Sequence, residues 1–125
     1  MNFWNRYNKN ETVNENLYDF SLRCCRKYVE EAAAILAERV VDAYVKKVAI
    51  DIYENSSADY KKAKEDYEKA TSLVHCAIGA YDCRRAEYEN YRIRYESDFS
   101  KIHDSFPTSH ELVEMVIRKI ILKNS

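Results

Sequence analysis

Glycine and proline are almost absent from this chain, and their absence constrains the fold more than any other feature of the sequence. The chain has one glycine and one proline in 125 residues. Tight hairpin turns and the loops that cradle phosphate groups both depend on glycine. Sandwiches, barrels and nucleotide-binding α/β folds are therefore disfavoured, and the sequence predicts an all-α protein.

The charge is balanced, with 20 basic and 21 acidic residues. This balance indicates neither a histone-like protein nor an acidic mimic of nucleic acid. No uncharged apolar stretch of about 18 residues occurs, and no apolar segment follows a basic start, so we expect no membrane span and no secretion signal. A cytoplasmic protein is expected, with thiols that stay reduced and pack as small apolar groups. These thiols belong to Cys24, Cys25, Cys76 and Cys83.

The pattern of polar clusters divides the chain into an arm and a single helical domain. Residues 1–13 form a polar, asparagine-rich N-terminal arm, and residues 14–125 form the domain. Asn14 is predicted to cap the first helix, and the polar cluster at 55–57 both ends that helix and caps the next. The predicted helices span about 14–54, 57–105 and 109–122.

Two local signals bear on the second and third helices. Gly79 lies inside the second helix, where glycine costs about 1 kcal/mol relative to alanine without having to break the helix. A break at Gly79 is the main alternative. After Phe106 and Pro107 end the second helix, Thr108 and Glu111 have the spacing of a capping box. We therefore expect Thr108 to cap the third helix.

A seven-residue repeat of apolar or aromatic residues runs through both long helices. In the second helix it extends from Tyr60 to Ile102, and in the first from Leu22 to Ile50. A repeat of this length implies supercoiling against a partner helix. The sequence therefore predicts a long, coiled-coil-like antiparallel helical hairpin.

The short loop between the two long helices sets their register. Residue i is expected to lie opposite a residue numbered about 111 − i on the other helix. This register places Cys24 and Cys25 near Ala86 and within one helical turn of Cys83.

The first helix carries a second apolar stripe that the second helix cannot cover, because the stripe points well away from the heptad positions. The third helix is only about 20 Å long and can cover a part of the stripe. We therefore predict that two copies complete a helical bundle as a homodimer, and the alternative is a groove that receives another protein. The predicted self-association residues are Val41, Val45, Val48 and Ile52.

Spacings that would support catalysis or metal binding are missing. Neither Glu-x-x-His nor His-Glu-x-x-His occurs, and the cysteines lack a zinc spacing. The pairs Glu65/Glu68 and Glu111/Glu114 have the spacing of magnesium ligands, but solvated helix faces produce that spacing constantly. We therefore expect no enzyme activity, no metal and no cofactor.

Residues 84–95 contain four arginines interleaved with three tyrosines. Arginine and tyrosine are enriched at protein–protein hot spots, and both also stack on nucleic-acid bases. Neighbouring acids cancel the arginine charge, so an ordinary solvated surface of the bundle is the competing interpretation. Ile93 falls opposite the heptad positions, which favours a protein partner. The predicted partner-binding residues are Arg84, Arg85, Tyr91, Arg92, Ile93 and Arg94.

These patterns favour a non-enzymatic protein that acts through protein–protein contact, as an adaptor, an assembly factor or a small inhibitor. One form of this prediction is an inhibitor encoded by a phage or other mobile element that blocks a larger target by covering it. The alternative is a helical protein that binds nucleic acid through its Arg/Tyr-rich helix face.

Overall fold

The computed structural model describes residues 11–95 and 106–124, and this part of the chain contains three helices and no strand. Two long helices pack closely against each other, and a short third helix lies against them. The predicted all-α class and helical hairpin are thus confirmed. The helices are α1 (Glu11–Ile50), α2 (Ala58–Tyr95) and α3 (Ser109–Asn124).

The start of α1 differs from the prediction. Helix is already present at Glu11, so Asn14 lies inside α1 and does not cap it. The physical reason is that nothing between residues 11 and 14 breaks a helix, since neither glycine nor proline occurs there. The rest of the predicted arm, residues 1–10, lies outside the described residues, as does the predicted end of the second helix at residues 96–105.

The end of α1 also differs, because the helix stops at Ile50 and not near residue 54. The chain then tightens into turns in which the amide of Asp51 donates to the carbonyl of Val48 over 3.1 Å. Such tight turns satisfy the last carbonyls of a helix. Ser57 then caps α2, since its hydroxyl oxygen accepts a hydrogen bond from the amide of Tyr60 over 3.0 Å.

The capping box of α3 is confirmed. The hydroxyl oxygen of Thr108 accepts from the amide of Glu111 over 3.2 Å, and Glu111 Oε1 accepts from the amide of Thr108 over 3.4 Å. Both bonds satisfy amides near the start of the helix that have no partner within it. A new helix, α3, therefore begins at Ser109, directly after the capping residue Thr108.

The core of the hairpin lies along the predicted heptad positions. Tyr81 and Leu36 are completely buried, and the guanidinium of Arg84 lies 5.3 Å from the ring centre of Tyr28, within one residue of the predicted register. Half-buried Tyr60 and Tyr67 mark the end of the hairpin that is nearer the turn. The buried apolar residues are Val29, Ala32, Leu36 and Val40 of α1 and Ala70, Ala77, Tyr81 and Tyr88 of α2.

Helix α2 continues through Gly79 without a break, so the alternative of a broken helix is wrong. A Cβ added at Gly79 would meet no atom within 4 Å beyond its chain neighbours and the backbone of its own helix. We therefore expect Gly79→Ala to raise the free energy of unfolding by about 1 kcal/mol. Urea denaturation measures this change, and Ala80→Gly at the next exposed position is the matched control, which should lower stability by a similar amount. A destabilising Gly79→Ala would contradict an open environment at this position.

Candidate protein-interaction surface

A groove with a volume of about 840 Å³ lies between α1 and α3. It is apolar along its length, and lysine side chains border it on the α3 side. We call it the α1–α3 groove. Its lining residues are Ala37, Val41, Tyr44, Val45 and Val48 of α1 and Val116, Lys119, Ile120, Lys123 and Asn124 of α3.

Three of the four predicted self-association residues line this groove. Val41, Val45 and Val48 are 41%, 57% and 48% exposed although their side chains are purely apolar. Ile52 is 74% exposed and lies in the turn after α1, outside the groove lining. Contiguous apolar surface of this kind marks interaction sites more often than isolated exposed residues do.

Helix α3 covers the hairpin only lightly. None of its residues is buried, and Ile121 and Leu122 remain 53% and 74% exposed. Its inner residues Val113 and Val116 pack against the core as partly buried side chains. Helix α3 therefore forms one wall of the groove and leaves the apolar stripe of α1 open beside it.

The segment before α3 is fixed to α2, and this attachment determines where the groove lies. The hydroxyl of Tyr81 donates to the carbonyl of Pro107, and Arg85 Nε donates to the carbonyl of Phe106 over 3.1 Å. The ring of Phe106 meets Tyr88 edge to face, with 5.2 Å between ring centres. These contacts place the start of α3 at the middle of the hairpin, so α3 borders α1 only near its C-terminal half.

The arginines of the predicted partner-binding set have partners within the chain. Arg84 forms an ion pair of 3.6 Å with Glu87, and Arg92 forms one of 2.9 Å with Glu89. Arg85 is used to hold the segment before α3. The sequence did not reveal that Arg85 fixes this segment, because the carbonyl of Phe106 that it contacts is 21 residues away in the chain.

The six residues of that set do not share one face of α2. An α-helix advances about 100° per residue, so Ile93 points away from Arg84 by about half a turn. Ile93 is 64% exposed and Arg94 is exposed, whereas Tyr91 is half-buried. The six side chains therefore point in several directions around α2. Partner binding by these residues stays a prediction.

The thiol of Cys25 is not activated. Burial raises the pKa of Cys25, the negative charge of Glu87 and neighbouring Cys24 raise it further, and Arg84 opposes the shift. Because the thiolate is the nucleophile, a raised pKa lowers reactivity at neutral pH. Cys83 Sγ lies 3.8 Å from Glu87 Oε1, the carboxylate whose charge also acts on Cys25. The proximity of Cys24 and Cys25 to Cys83 stays a prediction.

Within residues 11–95 and 106–124, no group of three or more His, Cys, Asp or Glu side chains is placed to hold a metal ion. No helix in the same part of the chain has both the length and the apolarity needed to cross a membrane.

Comparison with known proteins gives no family for the chain. It matches no protein-family model, no curated protein and no solved structure. Function must therefore be argued from the groove and its surroundings. Four groove residues were not singled out from the sequence, namely Tyr44, Lys119, Lys123 and Asn124. Tyr44 could have been found from its position, because it lies seven residues after Ala37 on the apolar stripe of α1.

Proposed function

We propose that this chain is a non-enzymatic protein that works by binding other polypeptides, as an adaptor, an assembly factor or a small inhibitor. The observation that carries the proposal is the open α1–α3 groove, in which Val41, Val45 and Val48 face solvent. Exposed apolar side chains that stay uncovered lower solubility, so a groove of this kind is best explained by an occupant. A helix of a second copy or of another protein has the shape and apolarity to fill it.

The dimensions of the groove suit a helix. Along α1 it runs from Ala37 to Val48, which is about 16 Å or three helical turns. A helix lying in such a groove contacts it through apolar residues at i, i+3 or i+4, and i+7. The helix-in-groove mode of recognition therefore supports the proposal.

The contacts of the arginines also support protein binding over nucleic-acid binding. Arg84 and Arg92 pair with carboxylates of the same helix, and Arg85 holds the carbonyl of Phe106. Nucleic acid is bound chiefly through arginine and lysine groups that can reach phosphates. Three of the four arginines in the predicted patch would first have to leave these contacts.

We also propose a cytoplasmic location. All four cysteines carry free thiols, and Cys76 and Cys83 are exposed. Reduced, exposed thiols suit a compartment in which glutathione keeps them reduced. A cytoplasmic setting therefore agrees with the chemistry of the surface.

A display library of helical peptides tests whether the groove binds polypeptides. Immobilised chain is expected to retain peptides with apolar residues at i, i+4 and i+7, and Val45→Glu should weaken their binding by about tenfold or more, because it places a charge in the groove. Ile35→Glu, at a similarly exposed apolar position of α1 outside the groove, is the matched control and should bind normally. If the wild-type chain neither retains such peptides nor self-associates, the proposed function is wrong.

A further inference from the structure

Two lysines of α3 border the α1–α3 groove without a carboxylate to pair with. Lys119 and Lys123 are exposed, and both line the groove. Within the part of the chain that the structure describes, neither forms an ion pair, whereas Lys46 of α1 lies 2.9 Å from Asp42. The α1 residues on the opposite wall are apolar or aromatic, so they supply no carboxylate either. The groove therefore presents positive charge beside apolar surface.

The local sequence explains why Lys119 has no partner on its own helix. Side chains three and four residues apart on a helix are neighbours, and those of Lys119 are Met115, Val116, Leu122 and Lys123. None of these four is an acid. The fourth adds a like charge, which is unfavourable at this spacing. Negative charge brought into the groove would relieve this repulsion.

The charges of α3 are divided along its length. Its acids, Glu111 and Glu114, lie in the first half, and the charged residues of the second half are all basic. The helix dipole stabilises a base in the last turn, which accounts for Lys123. The effect falls off within that turn, so it does not account for Lys119. A ligand in the groove explains this basic edge better than the stability of α3 does.

We infer that the occupant of the α1–α3 groove is an acidic amphipathic helix of another protein. This inference rests on the proposed function and names the chemistry of its partner. The apolar face of such a helix packs against the exposed valines of α1, and carboxylates on the edge of that face pair with Lys119 and Lys123. The two lysines lie four residues apart, about 6 Å along α3, so carboxylates one helical turn apart on the partner can meet both.

A display library of helical peptides tests this charge preference on the full-length chain. Every member carries leucine at i, i+4 and i+7, and the positions on both edges of this row carry Glu, Gln or Lys with equal frequency. The immobilised wild-type chain is expected to enrich Glu over Lys at the edge positions by about tenfold, because attractive ion pairs replace repulsive ones. In about 1 M salt the enrichment should fall below about threefold, because exposed charges are screened.

Charge reversal on α3 tests whether the groove edge is responsible. Lys119→Glu should reduce the enrichment of Glu over Lys to within about twofold, because one negative and one positive side chain then border the groove. Arg118→Glu is the matched control, since Arg118 is exposed on the same helix and changes the net charge equally but does not line the groove. It should keep the preference for Glu. Circular dichroism checks that both variants keep their helices, as expected for exposed side chains.

Several results would overturn the inference and leave the proposed function standing. One is equal retention of Glu, Gln and Lys peptides that is still lost in Val45→Glu. Another is a chain that retains no peptide and dimerises through Val45, because the occupant is then a second copy. If the chain binds neither peptides nor a second copy, the inference and the proposed function are both wrong.

Two further results would overturn the inference by assigning the preference to another cause. If Arg118→Glu loses the preference for Glu as fully as Lys119→Glu does, net charge and not the groove edge selects the peptides. If vesicles of anionic phospholipid bind the chain through Lys119 and no peptide does, the basic edge serves a lipid surface.

Discussion

Leu36→Ala is expected to lower the free energy of unfolding by about 2–5 kcal/mol. Leu36 is completely buried and lies in the main apolar cluster with Val29, Val40 and Tyr81. The substitution removes apolar contacts and leaves a cavity, because two long helices cannot collapse locally without disturbing their shared register. A loss of this size is a large part of the 5–15 kcal/mol that stabilises a typical domain.

The neighbouring residue provides the control for this experiment. Ile35 is 48% exposed, so Ile35→Ala should change stability by about 0.5 kcal/mol or less. Urea denaturation followed by circular dichroism measures both variants, and the slope of the transition should stay the same if only stability changes. Equal losses at the two positions would mean that α1 does not present Leu36 to α2.

The pairing of α1 and α2 could be predicted because the information for it is periodic and local. Each heptad position repeats the same signal, and the short turn fixes the register, so Arg84 meets Tyr28 one residue from the predicted place. Periodicity averages over many residues and tolerates errors at single positions. Helix ends depend on a few hydrogen bonds each, which is why α1 begins and ends three or four residues away from the prediction.

The position of α3 could not be predicted in the same way. It depends on contacts between distant residues, such as Tyr81 with Pro107 and Arg85 with Phe106. No repeat in the sequence encodes such pairs. The groove follows from them, so the valines on its α1 side were predicted, whereas Lys119 and Lys123 on the other side were not.

The Arg/Tyr stretch was open to several interpretations because composition does not reveal partners. Glu87 and Glu89 are close in sequence to Arg84 and Arg92, and ion pairs at i, i+3 are a common use of such residues. Arg92 is only 15% exposed in its side chain, which shows that it belongs partly to the packing of the hairpin. A cluster of arginines is therefore a weaker indication of a binding surface than a row of exposed valines.

Tyr81 joins the core of the hairpin to the segment before α3, and its removal should lower stability strongly. Its ring is completely buried, and its hydroxyl donates to the carbonyl of Pro107. Tyr81→Ala is expected to lower the free energy of unfolding by about 3–5 kcal/mol, as for other large aromatic residues. Tyr81→Phe keeps the ring and removes only the hydrogen bond, so it should cost about 1 kcal/mol.

The two variants differ in what they do to α3. Tyr81→Phe leaves the hairpin core intact and frees the carbonyl of Pro107, so amide hydrogens of Ser109–Asn124 should exchange faster with solvent while those of the α1–α2 core stay protected. Tyr81→Ala should speed exchange in both regions. Equal protection of α3 in the wild type and in Tyr81→Phe would mean that this hydrogen bond does not hold the wall of the groove.

The same tyrosine gives the protein a predictable response to alkaline pH. Burial raises the pKa of Tyr81 above its ordinary value of 10.0, with further contributions from Asp82 and other acids and an opposing one from Arg85. The folded state therefore keeps its proton where the unfolded state has lost it, so the stabilisation is complete below pH 10 and declines as the pH rises from 10 through the raised pKa. Wild-type stability should fall more steeply in that range than that of Tyr81→Phe, in which the ionising group is missing. Parallel pH profiles would show that the hydroxyl of Tyr81 is not buried against Pro107 in solution.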